Sequence, residues 1–271
     1  MSDNKTEWLN KAQKELHNKG WKVIEQIEEF ITSSDYNFLK TTEIPFSDNI
    51  NVAELAKYNH PLDYLVEQLP DLAQSVIYKQ ITYGMIIDFC YYMQEAFSCT
   101  RRGRISVAFS LLRRPLVYNL IILLRIIYDN HFYEKFTLDS SYDPTVYKPE
   151  ELKMMLKEFD EVKIMSSINC DIIFNLIFDK NNPTSIINLS NRAIHPTTTR
   201  KWNKTGELNF YFIFAVKEDV TALIDTFYRN VLAILAFYFE LFNIIISPYI
   251  PKEHVDSILN NRYSEFVKNM S

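Results

Sequence analysis

The chain has 271 residues, 47% of them hydrophobic, with 19 Phe, 17 Tyr, 4 Gly, 10 Pro and a formal net charge of −5. So few glycines leave little material for tight β-hairpin turns and essentially exclude nucleotide cradles built on glycine backbone. The acidic balance argues against nonspecific nucleic-acid binding by the whole surface but leaves room for a local basic site.

The N-terminus, MSDNKTEWLNKAQKEL, is polar and shows no apolar signal segment, so a cytoplasmic protein is expected. Residues 5–33 read as one or two amphipathic helices, with Gly20 as a break and Trp21, Ile24, Ile27, Phe30 and Ile31 as the apolar stripe of the second. An irregular connector with Pro45 follows, then a short helix from Asn51 that His60-Pro61 ends, and another over 61–69. Pro70 opens a long helix to Cys99, the chain turns over 100–103, and a second long helix returns from Arg104 to about His131. The expected fold is all-α: a multi-helix bundle built on this long antiparallel helical hairpin. Residues 1–271 read as a single α-helical domain, with N-terminal helices and a connector over 1–60 and the main bundle over 61–271.

The returning stretch, RRGRISVAFSLLRRPLVYNLIILLRIIYDNH, carries the most awkward charge in the chain. At about 100° per residue, Arg104, Ser110, Arg114, Tyr118, Arg125 and Asp129 share a polar arc, and Arg113 projects from the opposite side. A guanidinium placed there needs a partner, because an unpaired buried charge is very costly. Pro115 cannot donate to the carbonyl of Leu111, so a kink is expected. Hairpin arithmetic places Asp88, the lone acid of ITYGMIIDFCYYM, level with residues 113–115, predicting an Asp88–Arg113 or Asp88–Arg114 ion pair.

Further helices are expected at 149–159, after Lys148-Pro149-Glu150, at 166–178, and from Asn181-Asn182-Pro183 to His195, where Pro196 stops the helix. Residues 197–206 read as a loop, 208–214 as a short aromatic extended piece, 217–246 as a long helix and 252–270 as a last amphipathic one. Two runs, 116–128 and 231–246, raise the membrane question. Arg125 and Glu240 interrupt them, and both fall short of the ~20 residues of a span, so buried core helices and no membrane are expected. Cys90, Cys99 and Cys170 are odd in number and match neither a zinc nor a disulfide framework, which reads as reduced, buried thiols. No metal-ligand spacing or cofactor motif is visible.

Chemistry concentrates in INLSNRAIHPTTTRKWNKTG, residues 187–206. From Lys180 to Gly206 there is no acid, while Lys180, Arg192, Arg200, Lys201 and Lys204 are basic. Ser190, Asn191, Thr197, Thr198 and Trp202 add hydrogen-bonding groups and a stacking surface, a set suited to the phosphates of RNA or a nucleotide. The plain alternative is a solvated basic loop. His195 should end its helix, where the dipole favours an imidazolium, with Arg192 one turn back. The pair could bind a scissile phosphate while His195 moves a proton, although a helix-terminal histidine also serves as a simple cap. Arg113 and Asp88 would shape the site from the hairpin.

SVAFSLLRRPLVYNLIILLRIIYD followed by LSNRAIHPTTT resembles the HEPN superfamily and related helical proteins encoded beside bacterial abortive-infection genes. The resemblance covers the middle and later thirds of the chain. It implies a metal-independent ribonuclease acting as a homodimer at a composite Arg-x4–6-His site, in a defence or toxin–antitoxin type locus that could supply a partner protein. Here only two residues separate Arg192 from His195. The literal spacing occurs instead at Arg125…His131, where a six-residue offset does not put both side chains on one face. A non-catalytic helical module, binding a partner protein or nucleotide-like signal through the same basic pocket, is the alternative. The apolar excess of 231–246 also points to a homodimer.

Overall fold

The computed structural model describes residues 8–41, 55–195 and 216–271, and among these there are helices and turns but no strand. The protein is an all-α bundle. In chain order the helices are α1 (Lys11–Thr32), α2 (Asn37–Lys40), α3 (Pro61–Gln68), α4 (Pro70–Arg101), α5 (Ile105–Arg113), α6 (Asn119–Tyr128), α7 (Phe132–Leu138), α8 (Pro149–Val162), α9 (Cys170–Ile177), α10 (Ile186–Ile194), α11 (Lys217–Ile246) and α12 (Val255–Met270). A π-helical turn, Arg114–Tyr118, joins α5 to α6. The extended piece expected at 208–214 and most of the helix expected from Asn51 lie outside the described residues.

Local chemistry explains where the helices begin. Asn10 and Gln13 form a reciprocal capping box at α1, with the Gln13 amide 2.9 Å from Asn10 Oδ1 and the Asn10 amide 3.0 Å from Gln13 Oε1. Proline occupies the first position of α3, α4 and α8, where its missing N–H costs nothing.

Gly20 does not break α1. A Cβ built at Gly20 would lie 2.6 Å from the Phe97 ring and 3.1 Å from Leu232, so the glycine marks the close crossing of α1 with α4 and α11. Helix α11 is the centre of the bundle. From Phe237 to Asn243 every residue is buried, Glu240 included, and α1, α4, α5 and α9 pack around the helix. A helix apolar all round belongs inside a core. The run 231–246 is therefore taken up within this chain, and the surface argument for a dimer disappears. By length and composition, 105–128 and 217–249 could each cross a membrane; most of each is buried among this chain's own helices.

The carboxylate of Glu240 is covered by the loop after α8, accepting from the amides of Ile164 and Met165. Helix α12 is held by Arg262, which is 3% exposed. Its guanidinium lies 3.9 Å from the centroid of Phe30 and donates to Asn243 Oδ1 at 2.7 Å, Glu29 Oε2 at 3.0 Å and the Gln26 carbonyl at 2.9 Å. A smaller apolar cluster of Tyr64, Leu65, Ala73 and Val76 joins α3 to the start of α4.

Candidate functional site

The chain turns between α4 and α5 at Gly103, whose φ of 70° is the left-handed conformation glycine adopts freely. The turn brings Asp88 to Arg114, with Arg114 Nη2 2.6 Å and Nε 2.8 Å from Asp88 Oδ2. Of the two arginines expected to answer Asp88, it is Arg114 that does. The hydrogen bond to Asp88 pushes the Arg114 pKa further up. Its guanidinium also lies 5.6 Å from the Tyr92 ring centroid. Asp88 is spoken for, and Arg113 is left to other partners.

Arg113 finds one of them on α10, which packs closely along α5, and the other in the π turn that follows it. Its Nη1 donates to Asn191 Oδ1, and its Nε donates to the Tyr118 hydroxyl at 2.7 Å. The guanidinium lies 5.3 Å from the Tyr118 centroid. A regular helix would place positions 113 and 118 about 140° apart, on opposite sides. The π turn overturns that: the Asn119 amide bonds back to the carbonyl of Arg114, five residues earlier, so residues five apart come together. Its cause is visible in the sequence. Pro115 has no N–H to donate, and the helix answers with a wider turn at the place where the sequence pointed to a local fault. The Pro115 carbonyl takes a 2.6 Å hydrogen bond from Tyr238 of α11.

Tyr147 completes the cluster. Burial pushes its phenol pKa up, while the charge of Arg113 pulls against it and Tyr118 adds to the rise. Tyr147 was not singled out in the sequence, since it stands in a polar loop far along the chain.

Helix α10 ends as expected, with His195 as its exposed C-cap residue and its amide donating to the Asn191 carbonyl at 2.9 Å. Asn191 thus holds Arg113 by its side chain and His195 by its backbone. Ser190 is fully buried and its hydroxyl donates to the Ile187 carbonyl at 3.3 Å, so it faces the core and cannot offer a donor to a ligand. Arg192 is half-buried, and its guanidinium donates to the carbonyls of Pro183 and, at 3.4 Å, of Asn188, tying α10 to the turn before it. Thr197, Thr198, Arg200, Lys201 and Lys204 lie outside the described residues.

The alternative pair separates completely. Arg125 is 4% exposed and clamps the loop before α8, donating to the carbonyls of Pro144 and Val146 at 2.9 and 2.7 Å and to the Tyr142 hydroxyl at 2.9 Å. His131 is exposed and meets Glu134, Nδ1 to Oε2, at 3.7 Å. Among the described residues, no group of three or more His, Cys, Asp or Glu is placed to hold a metal ion.

What the arrangement offers is a fixed, half-buried guanidinium on α5, an exposed imidazole at the end of α10, and one asparagine joining them. No protein-family model, curated protein or solved structure matches this chain.

Proposed function

We propose that this protein binds RNA where α5 meets the end of α10 and cleaves it without a metal, as the HEPN resemblance implies. The observation that carries the reading is the Arg113–Asn191–His195 link, which fixes a cation by the Asn191 side chain and anchors the backbone of His195 by the Asn191 carbonyl. His195 takes the proton-transfer role. Arg113 replaces Arg192 as the residue supplying charge to the bound phosphate. In the chemistry the resemblance implies, the 2′-oxygen forms a bond to phosphorus as the bond to the 5′-oxygen breaks. One proton leaves the 2′-hydroxyl and one reaches the departing oxygen, and His195 can carry either. The acid-free stretch beginning at Lys180 would extend the phosphate-binding surface. A homodimer and a partner protein from a defence-type locus belong to the same proposal and rest on the resemblance; a cytoplasmic location belongs to it too and rests on the polar N-terminal stretch.

A second reading is favoured by Arg192, whose guanidinium is held by backbone carbonyls: a non-catalytic module that binds RNA or a nucleotide-like signal on this face. RNA cleavage by the wild type and by His195→Ala, with and without EDTA, separates the two. Cleavage that survives EDTA and falls roughly 10²–10⁴-fold in the variant is expected for a lost proton-transfer group. Binding without cleavage by the wild type selects the module. Wild-type rates in His195→Ala remove His195 from catalysis.

A further inference from the structure

A second basic surface lies at the other end of α5 from Arg113, roughly 13 Å away along the helix axis, on the turn Arg101-Arg102-Gly103-Arg104. All three arginines are exposed. Among the described residues none of them makes an ion pair, not even with Glu95, which acts on the Cys99 thiol together with Arg102 and Arg104. In a chain of net charge −5, three cations in four residues are a local reversal of sign.

Fold stability accounts for two of them. Arg101 and Arg102 stand at the C-terminal end of α4, where cations suit the helix dipole. Arg104 is the N-cap residue of α5, an end that favours a hydroxyl or a carboxylate, and the first turn of α5 carries no acid. The turn that presents these charges is fixed by its own backbone. The amides of Gly103 and Arg104 donate to the carbonyls of Thr100 and Cys99 at 3.0 and 2.9 Å, so little ordering remains to be done on binding.

An indole lies over the same turn. The Trp8 amide donates to the Arg101 carbonyl at 3.0 Å, and the ring covers Gly103 so closely that a Cβ there would lie 2.5 Å from it. Trp8 is nevertheless 41% exposed. Guanidinium groups for phosphates beside an aromatic ring for a base are the combination that holds a single strand of nucleic acid. An anionic membrane would also attract the arginines, but an indole pressed onto Gly103 is tied down where a bilayer anchor must be free to insert.

We infer that the α4–α5 turn is a contact site for single-stranded RNA, with phosphates on Arg102 and Arg104 and a base stacked on Trp8. The choice of RNA rests on the RNA-binding reading above, while the site itself needs neither Arg113 nor His195.

The test measures binding of the full-length protein to a labelled oligouridylate by fluorescence anisotropy across a salt series, beside binding to phosphatidylserine vesicles. Arg102→Gln/Arg104→Gln should weaken RNA binding about tenfold or more. It should also flatten the slope of log affinity against log salt by roughly 1.4, the share of two phosphate contacts on a single strand. Both side chains are exposed, so this variant should melt as the wild type does. Trp8→Ala should weaken binding about tenfold at an unchanged salt slope, and Trp8→Phe should restore most of it. Unchanged affinity and slope in the double arginine variant would overturn the inference. So would vesicle binding without RNA binding, or no RNA binding up to roughly 100 μM at physiological salt. Binding that depends on the turn, with no cleavage, would sustain the inference and overturn the catalytic reading. Cleavage with an affinity indifferent to the turn would do the reverse.

Discussion

Asp88 and Arg114 carry their ion pair near the surface, with side-chain exposures of 30% and 57%. Solvent screens such a pair, so Asp88→Ala should cost under about 1 kcal/mol in urea or thermal unfolding. A loss of roughly 3–5 kcal/mol would show instead that the pair behaves as a buried one. Arg113, one position earlier, is in a different situation: it is half-buried, and its donors go to a phenol and an amide, neither of which neutralises it. Of the two pairs expected, Asp88–Arg113 and Asp88–Arg114, the second is present, and Arg113 meets its need for a partner elsewhere. The hairpin arithmetic located Asp88 to within one residue. Asn191 and Tyr118 needed the packing of α10 on α5 and the widened turn, which no spacing rule for a regular helix contains.

At the scale of elements, two local irregularities position everything else. Gly20 lets α1 approach Phe97, and Gly20→Ala tests it. Alanine gains up to about 1 kcal/mol in helix propensity. The new methyl, however, would sit 2.6–2.7 Å from a ring that is fully buried against Phe227 and Tyr228. Overpacking typically costs about 1–3 kcal/mol, so the variant should be less stable than the wild type by chemical denaturation. A more stable variant would mean that the crossing is looser than described. The π turn has an equally direct test. Tyr238→Phe removes the hydroxyl that serves the Pro115 carbonyl at the turn and should destabilise by about 1–3 kcal/mol. If the turn sets Arg113 against Tyr118, RNA binding should weaken in the same variant. Unchanged stability would show that the hydroxyl is not needed there.

Across the whole molecule, the core decides which groups can react. Burial raises the thiol pKa of Cys90, and burial followed by the neighbouring Asp160 pushes Cys170 up to about 12. Cys99 is partly exposed, and burial raises its pKa as well. The thiolate is the reactive form, so a raised pKa slows the reaction until pH rises toward it. At about pH 8, Cys99 should label first in the native protein, with Cys90 and Cys170 reacting only after denaturation. Rapid native labelling of Cys170 would contradict the packing of α9. The same core accounts for the two membrane-like runs, whose apolar faces are largely covered by neighbouring helices.

By itself the sequence determined the all-α class, the proline starts of α3, α4 and α8, the span of α11 to the residue, the stop of α10 at His195 and the proximity of Asp88 to the Arg113–Arg114 pair, while the helix expected from Pro183 starts only at Ile186. These follow from period, caps and proline, which act within a turn or two of their own residue. Only the tertiary structure decided that α1 runs unbroken through Gly20, that Arg192 serves its own turn, that Ser190 faces the core, and that Arg113 meets Asn191 and Tyr118. Each of those depends on which helix lies across the gap. A side chain's partner is set by contacts between segments far apart in the chain, and a one-dimensional pattern shows which groups need partners without showing which will supply them.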